Sequence, residues 1–257
     1  MAKVICINSY RDGTGKTTVA INLAALLAAS GQRVCLIDAN FLHPDIHQRF
    51  KLDENTFATS LSDFLTGQDA LAAAVHDLTP RLGADAAGSN GKLYLVPASS
   101  PTRKDRELRD AEFDPYRLRD GLDELTAEYD LDCLILDARA GLDAGTLPLL
   151  IISDILMTVM VLDRQDYQGT GVIVDLARKV EVPLVTIVVN SVTGLYEMND
   201  VRAEVERVYN CPVGAVIPHV PTVPTHAETG ILAVDMPDNA AVLALESLVT
   251  LVRTWEP

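Results

Sequence analysis

Arg11-Asp12-Gly13-Thr14-Gly15-Lys16-Thr17-Thr18 follows an apolar run, Val4-Ile5-Cys6-Ile7, and leads into an Ala/Leu-rich stretch that ends near Ala29. A glycine-rich turn between a strand and a helix aims several backbone N–H groups into one concavity. That concavity, the positive end of the helix and the Lys16 ammonium together suit a polyphosphate. The Thr17 hydroxyl stands where it can ligate the Mg²⁺ that accompanies a nucleotide. The generic phosphate-loop pattern is G-x-x-x-x-G-K-[ST]. Its first glycine would fall at Tyr10, so the generic pattern fails there.

Outward from this loop, strands and helices alternate. Apolar runs predict strands at 3–8, 33–38, 93–97, 133–137, 157–162, 184–190 and 213–217. Helical patterns cover 17–29, 116–128, 172–180, 201–208 and 240–253, with short helices at 61–65 and 70–75 around the Gly67 turn. A loop at 83–91 precedes the third strand. Such alternation implies right-handed β-α-β crossovers. The expected class is therefore α/β: a mostly parallel, twisted sheet with helices on both faces. The 257 residues are 48% hydrophobic but only 5% aromatic, so the core should be aliphatic, as buried parallel strands require. Neither a repeat nor a convincing linker interrupts the chain, which predicts one domain over 1–257.

Two further residues stand at strand ends. Asp137 closes Cys133-Leu134-Ile135-Leu136 and precedes Ala138-Arg139-Ala140-Gly141. An acid there, with a phosphate loop upstream, is the Walker B arrangement that holds Mg²⁺. Gly141 would then offer its N–H to a γ-phosphate; the bland alternative for Asp137 is a capping role. Asp38 ends Leu36-Ile37-Asp38-Ala39-Asn40 in the same way.

Together these residues resemble the ParA/MinD family of ATPases, whose deviant Walker A loop reads K-G-G-x-G-K-[ST]-[ST]. Arg11 replaces the signature lysine and Asp12 the first glycine. The resemblance implies a P-loop NTPase fold, a Rossmann-like three-layer sandwich, with ATP and Mg²⁺ as cofactors. It places residues Arg11 to Thr18 at the phosphates and Thr17, Asp38 and Asp137 at the metal. The family's signature lysine reaches across a nucleotide sandwich to the partner's phosphates, and arginine keeps that charge in a fork that suits phosphate. Asp12 would stand where two such loops face each other, either paired with Arg11 or turned to solvent. The family's D-x-D element reads Asp38-Ala39-Asn40 here. Asn40 thus replaces the acid that helps activate the attacking water, which predicts slow hydrolysis. Asn40 can equally be a turn or N-cap residue. By the same resemblance Asn190, ending Ile187-Val188-Val189, meets the adenine edge, and Pro218 and His219 begin the purine-contact loop. Residues Asp45 to Phe50, Leu93 to Ser99 and Asp163 to Tyr167 look like the family's post-switch segment, its L-x-V-P-A-S strand and its strand-to-helix loop. The last could also face a partner.

Charge bounds the partners. At −15 the chain is ill suited to sequence-neutral nucleic-acid binding or to anionic lipid, although a dimer can build a patch that a monomer lacks. Its densest basic group, Arg103, Lys104, Arg106 and Arg109, is interleaved with acids and reads more simply as a solvated face. The sequence ends at Trp255-Glu256-Pro257 without a basic amphipathic tail, so direct membrane binding is not expected. Cys6, Cys35, Cys133 and Cys211 form no C-x-x-C pair, and no leader precedes the first strand; the expected compartment is the cytoplasm. His43 and His47 are separated by Pro44 and lack a third ligand, so no metal site is expected there.

Three functions follow from the resemblance. The first is an ATPase switch that homodimerises around Mg-ATP, engages an unidentified protein partner or cargo, and resets on hydrolysis. The second is a nucleotide-binding scaffold with little turnover, supported by Asn40 and Asp12. The third is a metallocentre-assembly ATPase, which needs interface cysteines that Cys133 and Cys211 do not obviously supply.

Overall fold

The computed structural model describes residues 2–53, 57–83, 90–98, 113–228 and 230–256. Among these, eight strands form one sheet: β1 (Lys3–Asn8), β2 (Arg33–Ala39), β3 (His76–Asp77), β4 (Lys92–Val96), β5 (Cys133–Ala138), β6 (Ile155–Met160), β7 (Leu184–Val192) and β8 (Val213–Pro218). Their order is β3-β4-β2-β5-β1-β6-β7-β8, and every pairing is parallel except that of β3 with β4.

The apolar alternation explains the layers. Successive side chains of a strand point to opposite faces. In β1, Val4 and Cys6 join one buried cluster while Ile5 and Ile7 join the other. Both sets are apolar because both faces are covered. The second face packs on α1 (Lys16–Ala29) and on α10 (Ala240–Thr254). Helix α1 is hydrophobic almost all round, as a helix wedged between a sheet and another helix must be. The first face carries α3 (Leu61–Leu65), α4 (Pro115–Tyr129), α6 (Arg164–Lys179) and α7 (Met198–Tyr209).

Strand order reverses at β1: β2 lies beyond β5 on one side, while β6, β7 and β8 continue on the other. The loops at the carboxyl ends of the strands diverge at such a point and leave a crevice. The loop after β1 is Ser9–Gly15, and the ends of β2 and β5 lie beside it in register, Asp38 opposite Asp137.

Several elements differ from expectation. Helix α6 begins eight residues before the predicted start, because Asp163 caps it by accepting from the Asp166 N–H at 2.9 Å. The stretch Asp163 to Tyr167, read as a loop, is thus a cap and a first helical turn. The predicted helix over 70–75 is a 3-10 turn, Leu71–Ala74, followed by β3. Three short helices lie outside the predicted elements, α2 (Ile46–Arg49), α8 (Val223–Ala227) and α9 (Leu232–Asp235); α5 is Leu147–Ile151. The basic residues Arg103, Lys104, Arg106 and Arg109, Ser99, and most of the loop at 83–91 lie outside the described residues. No helix among the described residues is long and apolar enough to cross a membrane.

Candidate functional site

Gly15 is the hinge of the loop. Its φ is +93°, in the left-handed region, and it stands at the N-cap of α1. A Cβ there would lie 2.2 Å from Nδ2 of Asn190, so alanine would be strained in conformation and would displace the Asn190 amide. Among the described residues no side chain caps the N-terminus of α1 and no acid sits in its first turn. The positive end of the helix therefore faces a cavity of about 560 Å³, lined on this side by Asp12, Gly13, Gly15, Lys16, Thr17 and Thr18. That volume is of the size that small-molecule sites take.

Asn190 braces the loop. Its Nδ2 donates to the Thr14 carbonyl at 2.7 Å. Pairing of β7 with β8 is irregular between Val189 and Val192, and Ser191 has φ +56°. Such an irregularity re-aims a side chain out of the ladder. Asn190 also lines the cavity, as do Pro218 and His219, and the His219 N–H donates to the Val192 carbonyl at 2.7 Å. The wall beyond them is apolar: Ile217, Val220, Val223, Pro224, Leu232 and Leu245.

Two buried acids stand behind Thr17, in register on β2 and β5; neither lines the cavity itself. Asp38 and Asp137 are 1% and 0% exposed, so each is a carboxylate removed from water. Thr17 Oγ1 donates to Asp137 Oδ2 at 2.7 Å, and the Asn40 N–H donates to Asp38 Oδ1 at 3.0 Å. The other oxygens, Asp38 Oδ2 and Asp137 Oδ1, have no hydrogen-bond partner. Burial holds the Asp38 carboxyl well above the usual carboxylate range, and the Asp137 charge adds to this. Burial also raises Asp137, against the opposing charge of Lys16 and the Thr17 hydroxyl. Two buried acids with orphaned oxygens beside a threonine hydroxyl form a hard oxygen donor set. It fits a small divalent cation such as Mg²⁺, which would supply the missing positive charge and take the unpartnered oxygens as ligands.

The structure does not gather every expected residue here. Arg11, expected to reach towards a partner's phosphates or to pair with Asp12, lies outside the cavity wall. It forms ion pairs with Asp163 and with Asp166, the latter at 2.6 Å. The reason is local: Asp166 is 1% exposed and anchored by the Val161 N–H at 2.8 Å, so a buried carboxylate stands ready beside the loop entry. Asp12 is exposed at the cavity rim, unpaired with Arg11. The Gly141 N–H donates to the Ser9 carbonyl at 2.8 Å, so it too is engaged away from the cavity. Asn40 lines the cavity, and its Oδ1 accepts from the His43 N–H at 3.3 Å in a local turn. Among the described residues no group of three His, Cys, Asp or Glu side chains suited to a metal occurs. Cys133 is buried, and burial pushes its thiol up to about 12, which makes it a poor thiolate ligand.

Sequence reasoning missed one wall of the site. Arg49 and Asp45, on α2 and just before it, line the cavity and form an ion pair at 2.8 Å. Arg49 Nη1 also donates to the carbonyl of Ala227 on α8. The i, i+4 spacing of Asp45 and Arg49 was readable as a helical pair. Its place on the cavity that the phosphate loop also lines was not.

Comparison with known proteins identifies the family. The AAA domain family matches residues 2–185. An ATP-binding protein of Methanocaldococcus jannaschii is 28% identical over 247 residues, covering 95% of this chain and 85% of that one. The chromosome partitioning protein ParA of Myxococcus xanthus is 30% identical over 159 residues, or 58% of this chain; the match spans only 52% of that protein's length. The septum site-determining protein MinD of Pyrococcus horikoshii, solved with Mg-ADP, superposes with a TM-score of 0.78 at 21% identity, covering 99% of this chain and 97% of that one. That likeness is one of fold.

Proposed function

The chain belongs to this AAA-domain family, among its ParA/MinD-like P-loop ATPases, and from that premise we propose that it binds Mg-ATP and hydrolyses it slowly. The bound state then acts as a switch in intracellular positioning, partitioning or the regulation of an assembly. One unit over 1–257 carries this activity, homodimerises around the nucleotide and engages a protein partner.

The observation that carries the reading is the pair of orphaned oxygens on Asp38 and Asp137, behind the cavity wall that Lys16 and Thr17 help to form. Thr17, Asp38 and Asp137 would hold the cation. When bound, Mg²⁺ neutralises charge on the phosphates and orients them. Lys16, 6% exposed, and the amides of Gly13 to Thr18 bind the phosphate oxygens. Asn190, Pro218 and His219 border the nucleoside, whose ring rests on the apolar wall. Asn40 orients the attacking water as an amide can, but it accepts a proton far less readily than an acid. Turnover is therefore slow.

Calorimetry with Mg-ATP, followed by phosphate release under saturation, tests both halves. Binding with slow release is the expected result. No heat at millimolar nucleotide removes the reading. A second reading, a nucleotide-binding scaffold without useful turnover, has one observation in its favour: the Asn40 side chain is spent on the His43 N–H. Normal ATP binding with no phosphate release, alone or with candidate partners, would select it.

A further inference from the structure

We propose that Arg49, rather than Arg11, is the guanidinium that meets the phosphates of the bound nucleotide within its own chain. This rests on the nucleotide reading above and deepens it.

Two arginines compete for the role. Arg11 is sequence-adjacent to the phosphate loop, but it is committed to Asp163 and to the buried Asp166. Withdrawing it would strand a carboxylate that is 1% exposed. Arg49 carries no such constraint. It lines the same cavity as Lys16 and Thr17, and its side chain is 16% exposed, so it is largely desolvated yet open on the cavity.

Its hydrogen bonds show how it could serve. Nε and Nη2 are held by Asp45 Oδ2 at 3.3 and 2.8 Å, which fixes the plane of the fork. Nη1 donates to a neutral backbone carbonyl, Ala227 O. A phosphate oxygen is the stronger acceptor, because a charge-assisted hydrogen bond exceeds one to a neutral carbonyl. Exchange of Ala227 for phosphate therefore needs no change at Asp45. The pairing also has an electrostatic purpose. Asp45 lines the cavity and would by itself repel a polyphosphate; Arg49 cancels that charge. The alternative role is a latch that only ties α2 to α8.

The test compares the full chain with its Arg49→Ala, Arg49→Gln and Arg49→Lys variants. The probes are Mg-ATP and Mg-tripolyphosphate, the second having no nucleoside. Glutamine keeps the packing and a donor without the charge, which guards against loss of the fold; thermal melts check it. The expected result is a loss of roughly 10- to 100-fold in affinity for both probes in the alanine and glutamine variants, with a smaller loss in the lysine variant. Native affinity for both probes in the alanine and glutamine variants would overturn the proposal. So would weakened ATP binding with native tripolyphosphate binding, the mark of a latch that shapes only the nucleoside wall. Failure of the unmodified chain to bind Mg-ATP would overturn the nucleotide reading itself, and this inference with it.

Discussion

Asp38 is the residue least at ease without a ligand. Its carboxyl is fully buried, has one orphaned oxygen, and lies opposite a second buried acid. Because folding raises its pKa, the unfolded chain releases the proton first as pH rises. The favourable contribution is therefore fully present below the usual carboxylate value and is lost as pH rises through the raised folded value. Asp38→Asn removes that loss. In EDTA and without nucleotide, the variant should be more stable than the native chain at neutral pH by about 1–3 kcal/mol. The gap should close towards about pH 4, as followed by thermal melts. Added Mg-ATP should reverse the order, since only the native chain gains the cation. Asn40 permits a second substitution at this scale. Aspartate can accept from the His43 N–H as asparagine does, so Asn40→Asp should keep the turn. It should raise phosphate release at least ~10-fold by supplying a proton acceptor; an unchanged rate with normal ATP binding would instead favour the scaffold. These acids were legible because an acid closing an apolar strand is a local pattern. The Asp166 partner of Arg11 and the Ala227 partner of Arg49 were not, since these contacts span 155 and 178 residues of sequence.

At the level of elements, the long parallel strands were easy to place, and of the short helices α3 was placed where α2, α8 and α9 were not. A buried parallel strand is a continuous aliphatic run, and β1, β5 and β7 are such runs. Helices of four or five residues, α2, α8 and α9, are too short to display a helical period, and they build the wall that the sequence left blank. The first turns of α6 were masked by Gly169 and Gly171, residues that ordinarily weaken a helix. Gly169 has a packing reason to be there. A Cβ on it would lie 1.9–2.2 Å from ring atoms of Tyr10, the residue just before the phosphate loop. Gly169→Ala gains helix propensity yet must push the ring away, and overpacking of this kind costs about 1–3 kcal/mol. We expect a lower melting temperature and weaker Mg-ATP binding, because Tyr10 carries Arg11 and the loop with it. Combining the change with Tyr10→Ala should recover most of the affinity. If the double variant binds no better than Gly169→Ala alone, the contact is not what positions the loop.

For the molecule as a whole, the question is what brings two copies together. The expected dimer has each chain contribute a cation to the other's phosphates, but Arg11 is held at home by Asp163 and Asp166. To cross, it must break both pairs and leave Asp166 buried and bare. Each chain also carries a net charge of −15, so two copies repel at low ionic strength. Association must then come from nucleotide contacts and surface matching that act once the repulsion is screened. Two consequences can be measured by light scattering with Mg-ATP. The double substitution Arg11→Ala with Asp166→Asn removes the guanidinium and its buried partner, leaving only the 41% exposed Asp163 to solvent, and it should leave the ATP-dependent doubling of mass intact. That doubling should strengthen as salt is raised from about 0.05 to about 0.3 M, over which the screening length falls from well above to below 10 Å. A trans-acting Arg11 predicts the reverse on both counts: the double variant stays monomeric while still binding ATP, and salt weakens the dimer by screening an attraction between its guanidinium and the partner's phosphates.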